Sequence, residues 1–176
     1  MTSYQQAILD CEERFTITAA STKTGKTASH IIWLFEQALK CKDGQSVWWV
    51  APVYQQAEIA FRRMKTQVTD VNFFQSNETK LLLTLPTGSR IEFKSGEKPD
   101  NLYGDDVFAA VIDEASRMRE ESWYAMRSTL TATQGKCKLI GNVKGKKNWF
   151  YKLGERARSG ENDYRYFKIT AYDAVK

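Results

Sequence analysis

Residues 20–27, "ASTKTGKT", end in Gly25, Lys26 and Thr27, three residue types that together can hold a chain of phosphates. That chemistry asks for backbone N–H groups turned inward from a tight loop and a helix N-terminus whose dipole favours anions. It also asks for a lysine to meet the β/γ-phosphates and a hydroxyl for Mg2+. Ser21, Thr22, Lys23, Thr24, Gly25, Lys26 and Thr27 supply all four. The stretch departs from G-x-x-x-x-G-K-[ST] only at Ala20, where a first glycine would stand. An alanine fits there if the backbone keeps φ negative, whereas Gly25, hard against the phosphates, is the harder one to replace. The plainer alternative is a capped helix start, with Thr24 or Thr27 as N-cap.

A second constellation lies in "FAAVIDEAS" (108–116), an apolar run that delivers Asp113 and Glu114 at its end. The C-terminal ends of parallel strands are where α/β sheets bind ligands. There Asp113 and Thr27 are suited to hold Mg2+, largely through water, and Glu114 to orient and deprotonate an attacking water. Phosphoryl transfer rests mainly on positioning and charge neutralisation. An acid pair can also simply open a helix, where it suits the dipole; its company with a GKT loop in one chain favours the phosphate chemistry. Asn142 closes the apolar run "CKLIGN" (137–142) and suits either a γ-phosphate sensor or ordinary turn chemistry. Lys144, Lys146 and Lys147 follow it and are candidates for contacts to a nucleic-acid backbone.

The elements that must position these groups alternate. "RFTITAA" (14–20) is a β-branched strand and "TASHIIWLFEQALK" (27–40) carries apolar residues at helical spacing. "SVWWVAP" (46–52) and "YQQAEIAFRRMKTQV" (54–68) repeat the strand and helix. A hairpin is expected from "TKLLLTL" (79–85), the turn "PTG" and "SRIEFKS" (89–95). Strand 107–112, helix 120–130, strand 137–142, helix 148–159 and strand 164–170 complete the chain. The order predicts one α/β domain over 1–176, a mainly parallel sheet flanked by helices with an added antiparallel hairpin. Trp33, Trp48, Trp49 and Trp149 sit in apolar runs and are expected in the core, and His30 is expected to be structural or exposed.

Composition narrows the classes. An apolar content of 42% over 176 residues is enough for a real core and argues against disorder. No apolar run is long enough to span a bilayer and the N-terminus lacks signal-peptide character, so a soluble protein of the cytoplasm is expected, with no membrane partner. Cys11, Cys41 and Cys137 are odd in number and scattered, and His30 is the only histidine, so neither a disulfide framework nor a zinc site is supported. The net charge of +5 is unevenly spread, with eight basic residues against Glu155 alone between Lys136 and Arg158. That segment is either a polyanion contact or a solvated face.

The ordered series of motifs resembles the ATPase (motor) domain of the large terminase subunit of tailed bacteriophages, which packages DNA. It is carried by "YQQAIL" (4–9), "ASTKTGKT" (20–27), "VWWVAPVYQQAEIAFRRM" (47–64), "GSRIEFKSGEKPDNLYG" (88–104), "VIDEAS" (111–116) and "LIGNVKGKKNWFYKL" (139–153). The resemblance implies a P-loop NTPase fold of the ASCE/RecA-like type, with ATP and Mg2+ as cofactors. It implies that Gln5, with Gln6 as alternate, reads adenine and that Asn142 relays hydrolysis. Its implied partners are double-stranded DNA, a portal protein and a small terminase subunit, with a homo-oligomeric ring when assembled and a monomer in isolation. It places the protein in the bacterial host cytoplasm, phage or prophage encoded.

The family's C-terminal nuclease domain is expected to lie outside these 176 residues. Two positions depart from the family's pattern. Lys23 stands where many members have arginine, and Tyr103 where many have a basic residue directed at a neighbour's nucleotide. The finger is then open among Lys23, Arg117 and Arg119. A non-hydrolytic prophage remnant or DNA-binding fragment, and a helicase-like ATPase, are the alternatives.

Overall fold

The run "SVWWVA" forms a strand buried along its whole length, which explains its lack of polar alternation. Trp48 and Val50 point into one apolar layer, while Val47, Trp49 and Ala51 point into another on the opposite face. The computed structural model describes residues 1–21, 25–68, 70, 72–104, 106–142, 145–170 and 172–173. In chain order the elements are α1 (Ser3–Leu9), β1 (Phe15–Ala20), α2 (Lys26–Lys40), β2 (Ser46–Ala51), α3 (Tyr54–Gln67), β3 (Gln75–Asn77), β4 (Leu82–Thr84) and β5 (Arg90–Ser95). Then follow β6 (Val107–Ile112), α4 (Glu120–Thr131), β7 (Lys136–Gly141), α5 (Trp149–Arg158) and β8 (Tyr164–Ile169). Short 3-10 turns occupy Pro99–Leu102 and Ala115–Arg117.

The strands form one eight-stranded sheet in the order β3-β4-β5-β2-β6-β7-β1-β8. Every pairing from β5 through β8 is parallel, and only β3–β4 and β4–β5 are antiparallel. The fold class read from the sequence is therefore the one observed, with one refinement. The second strand of the expected hairpin, β5, is itself a member of the parallel sheet beside β2, and β3 and β4 are the antiparallel extension. β3 escaped the sequence because Gln75, Ser76 and Asn77 are polar and all exposed, leaving no alternation to detect.

Helices cover both faces. Ile31 and Leu34 of α2 and Phe61 and Met64 of α3 pack with Trp49, Ile91 and Val111 on one side. Trp123 and Met126 of α4 and Trp149 and Phe150 of α5 pack with Phe15, Val50 and Ile112 on the other. All four of those tryptophans expected in the core are there, Trp33 included. Full burial of a side chain such as Phe61, which meets Phe93 edge-on at 5.5 Å, contributes roughly 2–3 kcal/mol. His30 is buried, its ring nitrogen Nδ1 2.6 Å from the Lys26 carbonyl and hence protonated there to donate. Burial pulls its pKa down to about 4, so it is neutral and structural. Among the described residues no helix is long and apolar enough to cross a membrane.

The strand order decides where chemistry can gather. β7 lies between β1 and β6, with Ala19 beside Gly141 and Ile112 beside Leu139. The segments leaving the C-terminal ends of β1, β7 and β6 are thus neighbours in space although far apart in sequence.

Candidate active site

Gly25 closes the loop after β1 with φ +71°, a left-handed conformation that favours glycine. A Cβ there would also lie 2.7 Å from Gln5 Nε2, so the end of that glutamine would have to move. Lys26 opens α2 and turns its ammonium back toward the strand it follows. Nζ donates to the carbonyls of Ser21 (3.1 Å) and Ala20 (3.3 Å) and meets Asn142 Oδ1 at 3.5 Å. Burial lowers its pKa, and the charges of Asp113 and Glu114 oppose that effect. The loop lysine, the acid pair and the asparagine are thus brought to one sheet edge. Thr22, Lys23, Thr24 and Lys144 lie outside the described residues.

Asp113 leaves the end of β6 with its backbone N–H donating to the Val50 carbonyl (2.8 Å), which continues the ladder with β2 by one residue. Burial and the adjacent Glu114 push its pKa up to about 6, while Lys26 and Arg63 favour its charged form. Glu114 has φ +46°, a strained backbone for a side-chain-bearing residue. In that conformation its N–H donates to Asp113 Oδ1 (2.9 Å), and its own Oε2 accepts from Arg117 Nη1 (2.9 Å) and Gln56 Nε2 (3.3 Å). A cavity of about 260 Å³ opens between Thr27, Asp113, Glu114 and the side of α3 that carries Gln56, Ile59 and Arg63.

Gln5 of α1 reaches this loop. Its Oε1 accepts from Thr2 N (2.8 Å) and its Nε2 donates to the Gly25 carbonyl (3.1 Å), so both ends of the amide are engaged. Gln6 donates instead to Asp10 along its own helix (2.8 Å) and is directed elsewhere. Of the open finger positions, Arg117 is committed to Glu114 and Arg119 donates to the Glu97 carbonyl. Tyr103 is exposed.

The basic segment is less uniform than its sequence. Lys138 is buried, Lys136 pairs with Glu12, Arg156 with Glu161 and Arg158 with Glu155. Lys146 and Lys147 are exposed in the turn before α5. That turn is tied to the segment after the acid pair: Asn148 Nδ2 donates to the Ser116 carbonyl (2.9 Å) and Trp149 Nε1 to the Met118 carbonyl (2.8 Å).

Gln56 and Arg63 are the site-lining residues that sequence reasoning missed. A signal was available for Gln56, because α3 starts just after a parallel strand's C-terminal end, where side chains of the first turn border the ligand crevice; Arg63, two turns further on, carried none.

Comparison with known proteins bears on the chain and its fold. No family model matches the chain. The chain is 31% identical over 153 residues to the large terminase subunit of Thermus phage G20c, an alignment covering 74% of this chain and 31% of that protein. It is 32% identical over 154 residues to that of Thermus virus P23-45, with the same coverage. The chain thus spans about a third of the length of these curated relatives. Among solved structures, the large terminase ATPase domain of Thermus phage P74-26 superposes with TM-score 0.82 at 25% identity, over 97% of this chain and 81% of that one. The large terminase of another thermophilic bacteriophage, in complex with ATP-gamma-S, gives TM-score 0.83 over 99% of this chain and 46% of that one, at 14% identity, a likeness of fold.

Proposed function

We propose that this chain, which belongs with the ATPase domains of phage large terminase subunits, hydrolyses ATP with Mg2+ and couples that reaction to the movement of double-stranded DNA into a procapsid. The observation that carries the reading is the meeting of Lys26 Nζ and Asn142 Oδ1 at 3.5 Å beside an acid pair whose Asp113 is held by burial and by Glu114 above its ordinary pKa. The same fold holds ADP and ATP-gamma-S in the thermophilic bacteriophage's large terminase, which supports a nucleotide here.

In the mechanism the loop of Ser21 to Thr27 and Lys26 hold the phosphates, and Gln5 meets adenine after exchanging its bond to Gly25. The residues present fit Mg2+. Asp113 is a hard oxygen donor raised in pKa by its burial and by Glu114, a state that a divalent cation relieves, and Thr27 supplies a hydroxyl beside the same cavity. Among the described residues there is no cluster of three or more metal-binding side chains. That suits Mg2+, which keeps waters and phosphate oxygens rather than an all-protein cage. Held by Asp113 and Thr27, Mg2+ would supply charge neutralisation for the phosphates. Glu114 deprotonates the water, which requires that its Oε2 exchange its bond to Arg117 for one to the water. Asn142, bonded to Lys26, feels the loss of the terminal phosphate. It passes that change toward the turn bearing Lys146 and Lys147, whose far end is tied to Ser116 and Met118.

Residues 1–176 form one P-loop domain, acting in a homo-oligomeric ring with portal and small terminase proteins in the host cytoplasm. A ring would supply the trans finger, worth roughly 10³–10⁵ in rate, so the isolated chain turns over slowly.

The test separates binding from chemistry. Glu114→Gln keeps Mg2+-dependent ATP affinity and loses turnover by about 10²–10⁴-fold, because the amide keeps the shape but cannot take a proton. Turnover equal to the parent in single-turnover assays would remove Glu114 from its role. Absence of Mg2+-dependent ATP binding by the parent would sink the reading as a whole.

A further inference from the structure

α3 presents Gln56, Ile59 and Arg63 to the cavity that also holds Thr27, Asp113 and Glu114. Spacings of three, four and seven put the three on one helix stripe, while Ala57, Phe61 and Met64 are buried on the other side. Gln56 is accounted for by its bond to Glu114. Arg63 is not accounted for by the chemistry described above.

It also differs from the other arginines around the site. Arg62 pairs with Glu58 (2.5 Å), Arg117 with Glu114 (2.9 Å), and Arg119 donates to the Glu97 carbonyl. Arg63 makes no ion pair among the described residues and keeps an exposed side chain at the cavity wall, where its positive charge acts on Asp113. A triphosphate beside two carboxylates leaves a surplus of negative charge that one lysine and one Mg2+ do not cancel. Lys26 is in addition partly occupied by two carbonyls. A second cation with a planar fork of donors matches phosphate oxygens better than a point charge does.

We propose that Arg63 is a ligand of the terminal phosphate of the bound nucleoside triphosphate, contributed from α3 of the same chain, and that it lets the site distinguish a triphosphate from a diphosphate. The inference rests on the nucleotide reading of the cavity. It adds to the site a third wall, α3, beyond the loop after β1 and the acid pair after β6. Arg63 then opposes a γ-phosphate and loses its partner once that phosphate leaves.

Calorimetric titration of ATP-gamma-S and of ADP, each with Mg2+, tests this on the parent, Arg63→Ala, Arg63→Lys and Arg62→Ala. Arg63→Ala weakens ATP-gamma-S by about 10–100-fold, the range of a charge-assisted phosphate contact, and leaves ADP within about twofold. Arg63→Lys recovers part of the loss, since it restores the charge without the fork. Arg62→Ala changes neither nucleotide. Equal losses for both nucleotides on Arg63→Ala, or no loss, overturn the assignment and leave the nucleotide reading intact. A parent that binds neither nucleotide overturns that reading, and the role of Arg63 with it. Because Arg63 is exposed, the thermal midpoint of Arg63→Ala stays at the parent's value; a large drop with loss of both ligands counts against a phosphate role.

Discussion

Lys26 and Lys138 both leave water without an ion pair among the described residues, and their surroundings differ in one respect that separates function from structure. Lys138, 2% exposed, is sealed: Nζ donates to the Ile8 carbonyl (2.7 Å) and the Thr16 hydroxyl (3.4 Å) and lies 4.9 Å from the centre of the Trp33 ring. Its partners are a helix-end carbonyl, a hydroxyl and an aromatic face, none of which an incoming ligand could replace. Burial pulls its pKa down to about 8. Lys26 has carbonyls on one side, Asn142 on another and the field of two carboxylates across the cleft. A lysine satisfied only by neutral acceptors at an open edge can exchange them for an anion. One roofed by Trp33 holds α1 to β7.

Three measurements sharpen or break that contrast. The largest effect is expected at Lys26: Lys26→Ala weakens ATP affinity by about 100-fold or more, as loss of a charged phosphate contact implies, with little change in thermal midpoint. Comparable ATP affinity in a calorimetric titration would make Lys26 as structural as Lys138.

The second effect belongs to Lys138. Its folded pKa lies below the unfolded value, so the unfolded chain binds more protons between about pH 8 and 10.5 and stability rises with pH across that window. The gain is on the order of 2 kcal/mol, and Lys138→Met removes it. Cys11, Glu12, Lys136, Cys137 and His30 surround it in both proteins, so the informative quantity is the parent-minus-variant difference in urea midpoints at about pH 7.5, below that window, and at about pH 10, near its upper end. A difference independent of pH would mean that Lys138 is not desolvated as its position implies.

The smallest effect is at the lysines outside both settings. Replacing Lys146 and Lys147 with glutamine leaves nucleotide affinity unchanged and flattens the salt dependence of duplex binding by about one unit of log–log slope per phosphate contact. Parallel slopes for the two proteins would assign these lysines to solvation alone.

What the sequence disclosed follows from what its signals depend on. Gly25–Thr27 and Asp113–Glu114 were legible because each sits at a junction, strand to loop or strand to turn, that hydrophobic runs mark by themselves. Asn142 could be singled out, but whether it was sensor or turn residue depended on β7 lying between β1 and β6, and periodicity does not encode strand order. The same limit hid Arg63, whose proximity to Asp113 requires β2 to neighbour β6. Lys138 was counted with a basic run because charge is read along the chain, whereas its burial follows from the pleat and from Trp33 above it. Arg117 has the spacing to reach Glu114, yet the pairing depends on a left-handed backbone at Glu114 that no local motif announces.

The two ends of the sheet bear on how such domains can crowd together. An unpaired strand edge is a template on which another chain can add a strand. Here one edge, β3, is three residues long and wholly exposed, and the other, β8, carries Arg165 and Lys168 toward solvent. Shortness blunts the first and like charge on the facing copy blunts the second, so sheets from adjacent copies have little means to fuse into a continuous ribbon. Copies that meet would then do so through side-chain surfaces, which can separate and re-form where a shared ladder of backbone hydrogen bonds would lock.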